Sequence, residues 1–191
     1  MGRKGSAETA RNREIQRQIA MAAPSAAMAE NRAMPFRPLP LPANVPGRLW
    51  LQSMPGRLES WNAFLDEARL RSLTQVVCLN PLEEVAQLSP DYHRAIGAGR
   101  LPFRWRHLPM SDFGLSVDPA LFREGIEELA RGLRLGDHVL LHCAAGIGRT
   151  GTVAACALKV LGETTEAAMG HVRAAGSNPQ SALQSGWIER F

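Results

Sequence analysis

The stretch from Val139 to Gly162 constrains this chain more than any other, because it demands a strand, a glycine-containing turn and a helix in immediate succession. Val139-Leu140-Leu141 is short, apolar and β-prone and follows the turn signal Gly136-Asp137, so it reads as a fully buried strand. From Arg149 onward, Thr152, Val153, Ala155, Cys156, Leu158, Lys159, Val160 and Leu161 form a mostly apolar segment of helical length, with Gly162 as its C′ residue. Between the two lies His142-Cys143-Ala144-Ala145-Gly146-Ile147-Gly148-Arg149-Thr150-Gly151. A strand that turns tightly into a helix presents backbone N–H groups at the helix N-terminus, where they bind anions.

Gly146 and Gly148 permit backbone conformations that bring successive N–H groups toward one point, where a tetrahedral oxyanion fits. Arg149 adds a bidentate fork for two phosphate oxygens and stays cationic at any working pH. The same positive field is expected to lower the thiol pKa of Cys143 and so favour a thiolate nucleophile at neutral pH. A glycine-rich turn holding a buried cysteine also occurs as plain packing in α/β folds, and a bare Cys-x5-Arg spacing is weak evidence. The complete string is far more specific.

The remaining chain alternates strands and helices. Arg48 to Leu51, Thr74 to Leu79 and Phe103 to Leu108 read as further strands. Arg57 to Arg71 carries Leu58, Trp61, Leu65, Ala68 and Leu70 at near-helical spacing, and Pro81 to Leu88 and Pro90 to Ala98 read as short helices. Pro119 to Leu135 repeats Leu121, Phe122, Ile126, Leu129 and Leu133 on one face, with Asp118 as N-cap and Pro119 at N1. Thr164 to Ala175, capped by Thr164 or Thr165, and Gln180 to Arg190 complete the helices, with Trp187, Ile188 and Phe191 as core. This order predicts an α/β fold with helices on both faces of the sheet, and a ligand site beyond the carboxyl ends of the strands, where Cys143 falls.

The loop resembles the His-Cys-x5-Arg-Ser/Thr signature of the cysteine-dependent protein tyrosine phosphatase superfamily, with every fixed position present. From about residue 48 onward the order of elements, including Met54-Pro55-Gly56 and Cys78, is similar to its compact dual-specificity-like branch, notably the cyclin-dependent-kinase-associated and bacterial enzymes. The resemblance implies a central, mostly parallel sheet of four to five strands and hydrolysis of a phosphomonoester through a thiophosphoryl-cysteine. Cys143 would then be the nucleophile and Arg149 the phosphate clamp, with N–H groups of Ala144, Ala145, Gly146, Ile147, Gly148 and Arg149 as the cradle. Thr150 would hydrogen-bond the sulfur and help it leave, and His142 would orient the loop and help keep the thiol acidic.

A general acid must protonate the leaving oxygen. Asp112 occupies a place like the acid loop of the compact branch, whereas Asp118 is explained by capping, so Asp112 is favoured. Gln180, ahead of Gln184, resembles a water-positioning glutamine, although both also read as ordinary polar positions. Cys78 resembles a cysteine that forms a disulfide with the nucleophile in some relatives; a small hydrophobe ending a strand is the alternative. The chemistry calls for no cofactor and no metal.

The length of 191 residues suits one catalytic domain, 48–191, preceded by a flexible Pro- and Ala-rich arm, 1–47. The arm holds seven Lys/Arg and three Asp/Glu against fifteen of each beyond it, so the net charge of +4 resides in the arm. That argues against nucleic-acid binding by the domain. The arm is available to dock a partner, and the domain is expected to be a monomer. Three cysteines without a recognisable secretory leader point to the cytoplasm, or to a host cytosol if the protein is exported by another route, and no run reaches transmembrane length. The uncharged loop interior favours a singly phosphorylated protein or peptide, phosphotyrosine or phosphoserine/threonine, over a phosphoinositide. A non-catalytic phosphate-binding module and a related Cys-x5-Arg enzyme, such as an arsenate reductase or sulfurtransferase, are the rival readings.

Overall fold

β-Branched and leucine-rich runs that are apolar at every position can be satisfied only by burial on both faces, and this chain places them at the centre of its sheet. The computed structural model describes residues 36–110 and 118–191. Five strands, β1 (Arg37–Leu39), β2 (Arg48–Gln52), β3 (Gln75–Cys78), β4 (Arg104–His107) and β5 (His138–His142), form one sheet in the order β1-β2-β5-β3-β4. β5 pairs in parallel with both β2 and β3, β4 is parallel to β3, and only β1 runs antiparallel to its neighbour. The α/β, mostly parallel sheet expected from the sequence is therefore present, with β5 in the middle.

Seven helices are described: α1 (Trp61–Leu70), α2 (Leu82–Leu88), α3 (Pro90–Gly97), α4 (Pro119–Arg134), α5 (Gly148–Val160), α6 (Thr165–Ala174) and α7 (Ala182–Arg190). Alternation along the strands divides the core. Leu49, Leu51, Val77, Leu79, Val139 and Leu141 pack with Phe122, Ile126, Leu129 and Leu133 of α4, the apolar side chains of α5, and Val172 of α6. Trp50, Val76 and Leu140 face the other way, toward Phe36, Phe64 and Ala68. Asp118 caps α4 by accepting from the N–H groups of Ala120 and Leu121, and Thr164 caps α6 by accepting from Ala167, as expected. No helix among the described residues is long and apolar enough to cross a membrane.

Several boundaries differ from the sequence reading, each for a local reason. The helix expected from Arg57 begins at Trp61, because Ser60 caps it by accepting from the Ala63 N–H. Its buried face carries Phe64 and Ala68, while Leu58 and Leu70, assigned inward by spacing, are 77% and 80% exposed. The last helix starts at Ala182 and not at Gln180, because Ser181 supplies the cap.

The larger correction concerns the arm. Composition places residues 36–39 in a Pro-rich linker, yet Arg37, Pro38 and Leu39 pair with Leu51, Trp50 and Leu49 of β2, and the compact unit that holds the sheet runs from Phe36 to Phe191. An edge strand tolerates proline because one of its sides needs no ladder hydrogen bond, which is why composition alone misleads here. Phe36 is fully buried, stacked on Phe64 at 5.8 Å and edge-on to Trp50 at 6.1 Å. Phe36→Ala should cost about 3–5 kcal/mol, the usual penalty for emptying a core aromatic site. Chemical denaturation measures it, and a loss within error of zero would return this residue to the linker.

Candidate active site

The register of the sheet fixes the position of the site. Gln52 of β2 and Cys78 of β3 both pair with His142, the last residue of β5, and the Leu79 N–H bonds the His142 carbonyl at 3.0 Å. Cys143 therefore leaves the sheet at its centre, at the carboxyl ends of three parallel strands, where such sheets bind ligands. The next residues form a tight loop before α5 starts at Gly148.

That loop turns its carbonyl groups outward. The Ala144 oxygen accepts from the Met54 N–H at 3.2 Å and Arg57 Nη1 at 2.7 Å. The Gly146 oxygen accepts from Ser177 Oγ at 2.6 Å and from Arg37 Nη2. The Ile147 oxygen accepts from the N–H groups of Gly151 at 2.8 Å and Asn178 at 3.3 Å. In a trans peptide the N–H points opposite to its C=O, so the N–H groups of Ala145, Ile147 and Gly148 face the concave side. Cys143 Sγ lies there and accepts from the Gly146 N–H at 3.2 Å.

Gly146 has φ of +71°, and a Cβ on it would stand 2.3 Å from the Gln52 carbonyl oxygen, so both conformation and space demand glycine. The N–H groups of Ala145, Gly146, Ile147 and Gly148 thus line the concave side around Cys143 Sγ.

Arg149 is 3% exposed and does not hang loosely over the loop. Glu84 at the start of α2 grips it in a fork, Oε2 to Nη1 at 2.7 Å and Oε1 to Nη2 at 2.9 Å, and Nη1 also donates to the Met110 carbonyl at 3.3 Å. The bonded guanidinium, followed by lesser contributions, holds the Glu84 carboxyl below the ordinary carboxylate range although partial burial opposes this. Bidentate geometry fixes the plane of the guanidinium, which a single bond would not do.

His142 is fully buried, and desolvation pulls its pKa down to about 3, so the ring is neutral at physiological pH. It therefore brings no cationic charge to the thiol. Trp105 Nε1 donates to the Tyr92 hydroxyl at 2.8 Å, and that hydroxyl meets His142 Nε2 at 3.0 Å. Burial raises the Tyr92 phenol well above its ordinary pKa and keeps it protonated.

Other expected residues divide. Thr150 Oγ1 is buried but makes no hydrogen bond to the sulfur. Gln180 lies against the loop: a Cβ on Gly148 would be 2.6 Å from its Oε1. Gln184 is buried, and its Oε1 accepts from the Gln180 N–H at 2.7 Å, which spends that oxygen on the backbone. Cys78 sits beside His142 in register, on the face opposite to the Leu79 side chain, and burial pushes its thiol up to about 12. Cys156 is core, also raised to about 12 by burial. Asp112 lies outside the described residues. Glu84, Tyr92, Arg37, Arg57 and Ser177 were not anticipated, since each reaches the loop from a distant segment and matches no local pattern. The one available signal for Glu84 was an acidic residue in the first turn of a short helix just past a parallel strand's carboxyl end.

A thiol at the exit of a central parallel strand, inside an N–H-lined loop closed by a fixed arginine, defines the cysteine-dependent phosphatase class. The chain belongs to the dual-specificity-type protein tyrosine phosphatase family: the family model PTP-SAK, described as Swiss Army Knife protein, DSP-PTPase phosphatase domain, matches residues 44–185. Among solved structures it is similar to a kinase associated phosphatase whose catalytic-site cysteine is replaced by serine, with 22% identity and a TM-score of 0.70 over 82% of this chain and 92% of that one. Tk-PTP in its active form shares 26% identity, with a TM-score of 0.56 over 75% and 90% of the two chains. The human tyrosine phosphatase-like serine/threonine/tyrosine-interacting protein shares 20%, with a TM-score of 0.59 over 77% and 91%. No curated protein matches the sequence. The compact dual-specificity-like branch that the order of elements resembles is thus the right one, and the protein is a protein tyrosine/dual-specificity phosphatase.

The Glu84 fork has a pH signature. Its folded pKa is depressed. The stabilisation it gives is therefore complete above the unfolded carboxylate pKa of about 4.3 and fades as pH falls through the lower folded value. Glu84→Gln should remove that acid-side component from a denaturation series run from neutral pH downward. It should also lower kcat/KM on an aryl phosphate by roughly 10- to 100-fold, the scale of a lost charge-assisted hydrogen bond. Unchanged kinetics with a lost acid-side component would confine Glu84 to stability.

Proposed function

We propose that Cys143 acts as a phosphorus-directed nucleophile on singly phosphorylated protein side chains. The thiolate attacks phosphorus, the P–O bond to the leaving oxygen breaks, and Asp112 donates a proton to that oxygen. A water molecule then attacks the thiophosphoryl group and gives its proton to the Asp112 carboxylate. Inorganic phosphate leaves as the Cys143 thiolate re-forms. Arg149 and the loop N–H groups bind the three non-bridging oxygens throughout, and Gln180, beside Gly148, orients the water. The observation that carries this reading is the peptide orientation of residues 144–148, with carbonyls outward and the Gly146 N–H on Sγ. Fixed dipoles of this kind stabilise the negative charge spread over the phosphoryl oxygens in the transition state.

The uncharged interior of the loop supports a single phosphate, and the 36%-exposed Ile147 offers an apolar rim for an aromatic or aliphatic phosphoamino acid. A cytosolic, monomeric enzyme with residues 1–35 available to a partner completes the proposal, supported by the odd cysteine count and the basic bias of that segment.

Turnover of an artificial aryl phosphate should vanish in Cys143→Ser. Asp112→Ala should lose more rate on substrates with poor leaving groups than on good ones. Residual turnover by Cys143→Ser at the wild-type rate would sink the mechanism, and an equal loss across leaving groups would move the acid role elsewhere.

We also propose Cys78 as the redox partner of Cys143. At its raised pKa Cys78 is a poor nucleophile, so the Cys143 thiolate reacts first with peroxide to give a sulfenic acid. The Cys78 sulfur then attacks that sulfur, its proton leaves with the hydroxyl as water, and one S–S bond forms. Intact mass after mild peroxide should show a reducible loss of two hydrogens in wild type and irreversible oxygen addition in Cys78→Ser. Identical irreversible addition in both proteins would leave Cys78 as core packing.

A further inference from the structure

Arg37 lies in the edge strand that composition assigns to a linker, yet its guanidinium reaches the phosphate loop. Phe36, buried against Trp50 and Phe64, fixes the backbone on one face, and alternation sends Arg37 to the other, shared with Leu39 and the core beneath the loop. Nη1 donates to the carbonyls of Ala175 at 3.1 Å and Gly176 at 2.5 Å. Nη2 donates to the Gly146 carbonyl and contacts Ser177 Oγ at 3.3 Å. Ser177 is itself buried and donates to the same Gly146 carbonyl at 2.6 Å. A single guanidinium thus ties together β1, the turn after α6 and the loop. The approach is close: a Cβ on Gly176, where φ is +73°, would stand 2.9 Å from Arg37 Nη1.

The bond that matters is the one to Gly146. The peptide joining Gly146 to Ile147 is trans, so an outward carbonyl means an inward Ile147 N–H. A glycine rotates between conformations that other residues cannot reach, so the orientation of this peptide is not enforced by its own side chain. Turned over, it would present a carbonyl oxygen to the phosphate in place of an N–H, replacing attraction by repulsion. Two donors on one outward oxygen, one of them charged, oppose that rotation.

We propose that Arg37, together with Ser177, is a positioning residue that holds the Gly146–Ile147 peptide in the oxyanion-binding orientation, so that phosphoryl affinity depends on edge strand β1. The proposal rests on the reading of the loop as a phosphate site. Neither side chain needs to touch substrate; both act through the loop. Arg37 is half-buried, and desolvation lowers its pKa while the nearby Cys143 charge raises it, in keeping with a guanidinium set close behind the site.

The test uses the full chain with Arg37→Gln, Arg37→Lys, Arg37→Ala and Ser177→Ala, each checked by thermal melting. Tungstate affinity, measured calorimetrically in the Cys143→Ser background, reads the cradle without turnover. Arg37→Gln and Ser177→Ala should weaken tungstate and lower aryl-phosphate kcat/KM in the Cys143-containing protein, each by roughly tenfold or more, short of the full loss expected for deleting an oxyanion donor. Arg37→Lys should fall between wild type and Arg37→Gln, and added guanidinium should restore part of the activity of Arg37→Ala. Tungstate affinity within twofold of the parent in both Arg37→Gln and Ser177→Ala would overturn the proposal. So would losses matched only by a falling folded fraction and not relieved by guanidinium. If Arg37→Gln fails to fold, Ser177→Ala decides alone. If the wild type binds tungstate but hydrolyses no aryl phosphate, the phosphatase mechanism fails while the tungstate comparison still decides the role of Arg37.

Discussion

Every carbonyl that the loop turns away from Cys143 must find a donor elsewhere, and much of the surrounding structure is arranged to supply one. A buried peptide oxygen left unpaired costs as much as a lost hydrogen bond, so an inward row of N–H groups cannot exist without an outward row of satisfied oxygens. Met54 and Arg57 from the segment after β2, Arg37 from β1, Ser177 and Asn178 from the turn after α6, and the Gly151 N–H of α5 meet that requirement. The concave side of the loop is the by-product of this accounting. Its polarity is stored in backbone orientation and owes nothing to charged side chains within residues 144–148.

Electrostatics around the thiol follow from burial. Arg149 keeps its charge in a site 3% exposed because Glu84 shares the desolvation, with two oxygens on two nitrogens. His142, fully buried and bonded to no carboxylate among the described residues, gives up its charge instead and meets the Tyr92 hydroxyl through Nε2. Burial discharges the imidazole, whereas the guanidinium has a carboxylate bonded to both of its terminal nitrogens.

The fold was largely legible because its strongest signals are local. Val139 to Leu141, Thr74 to Leu79 and the periodic helix after Asp118 declare their period within a few residues, and Asp118 behaves as the cap its sequence context implies. The juxtaposition of Cys143 and Arg149 was legible because seven consecutive residues encode their spacing. The supporting side chains were not, since Arg37 meets Gly146 across 109 positions and Glu84 meets Arg149 across 65. Such pairs are set by the sheet order, and no window along the chain contains them. Leu58 and Leu70 mark the reverse failure: apolar residues at near-helical spacing that lie exposed at or beyond the ends of a ten-residue helix.

The strand order has a temporal consequence. β5 occupies the slot between β2 and β3, both made earlier in the chain. During synthesis those two strands precede their shared partner by more than fifty residues, since Cys78 is followed by His138 only after β4 and α4. Until β5 inserts, each presents an unpaired inner edge of the kind that recruits foreign strands. Closing that gap creates the sheet and the N–H-lined loop in one event, so a chain that has not completed its folding has no partial version of the candidate site to offer.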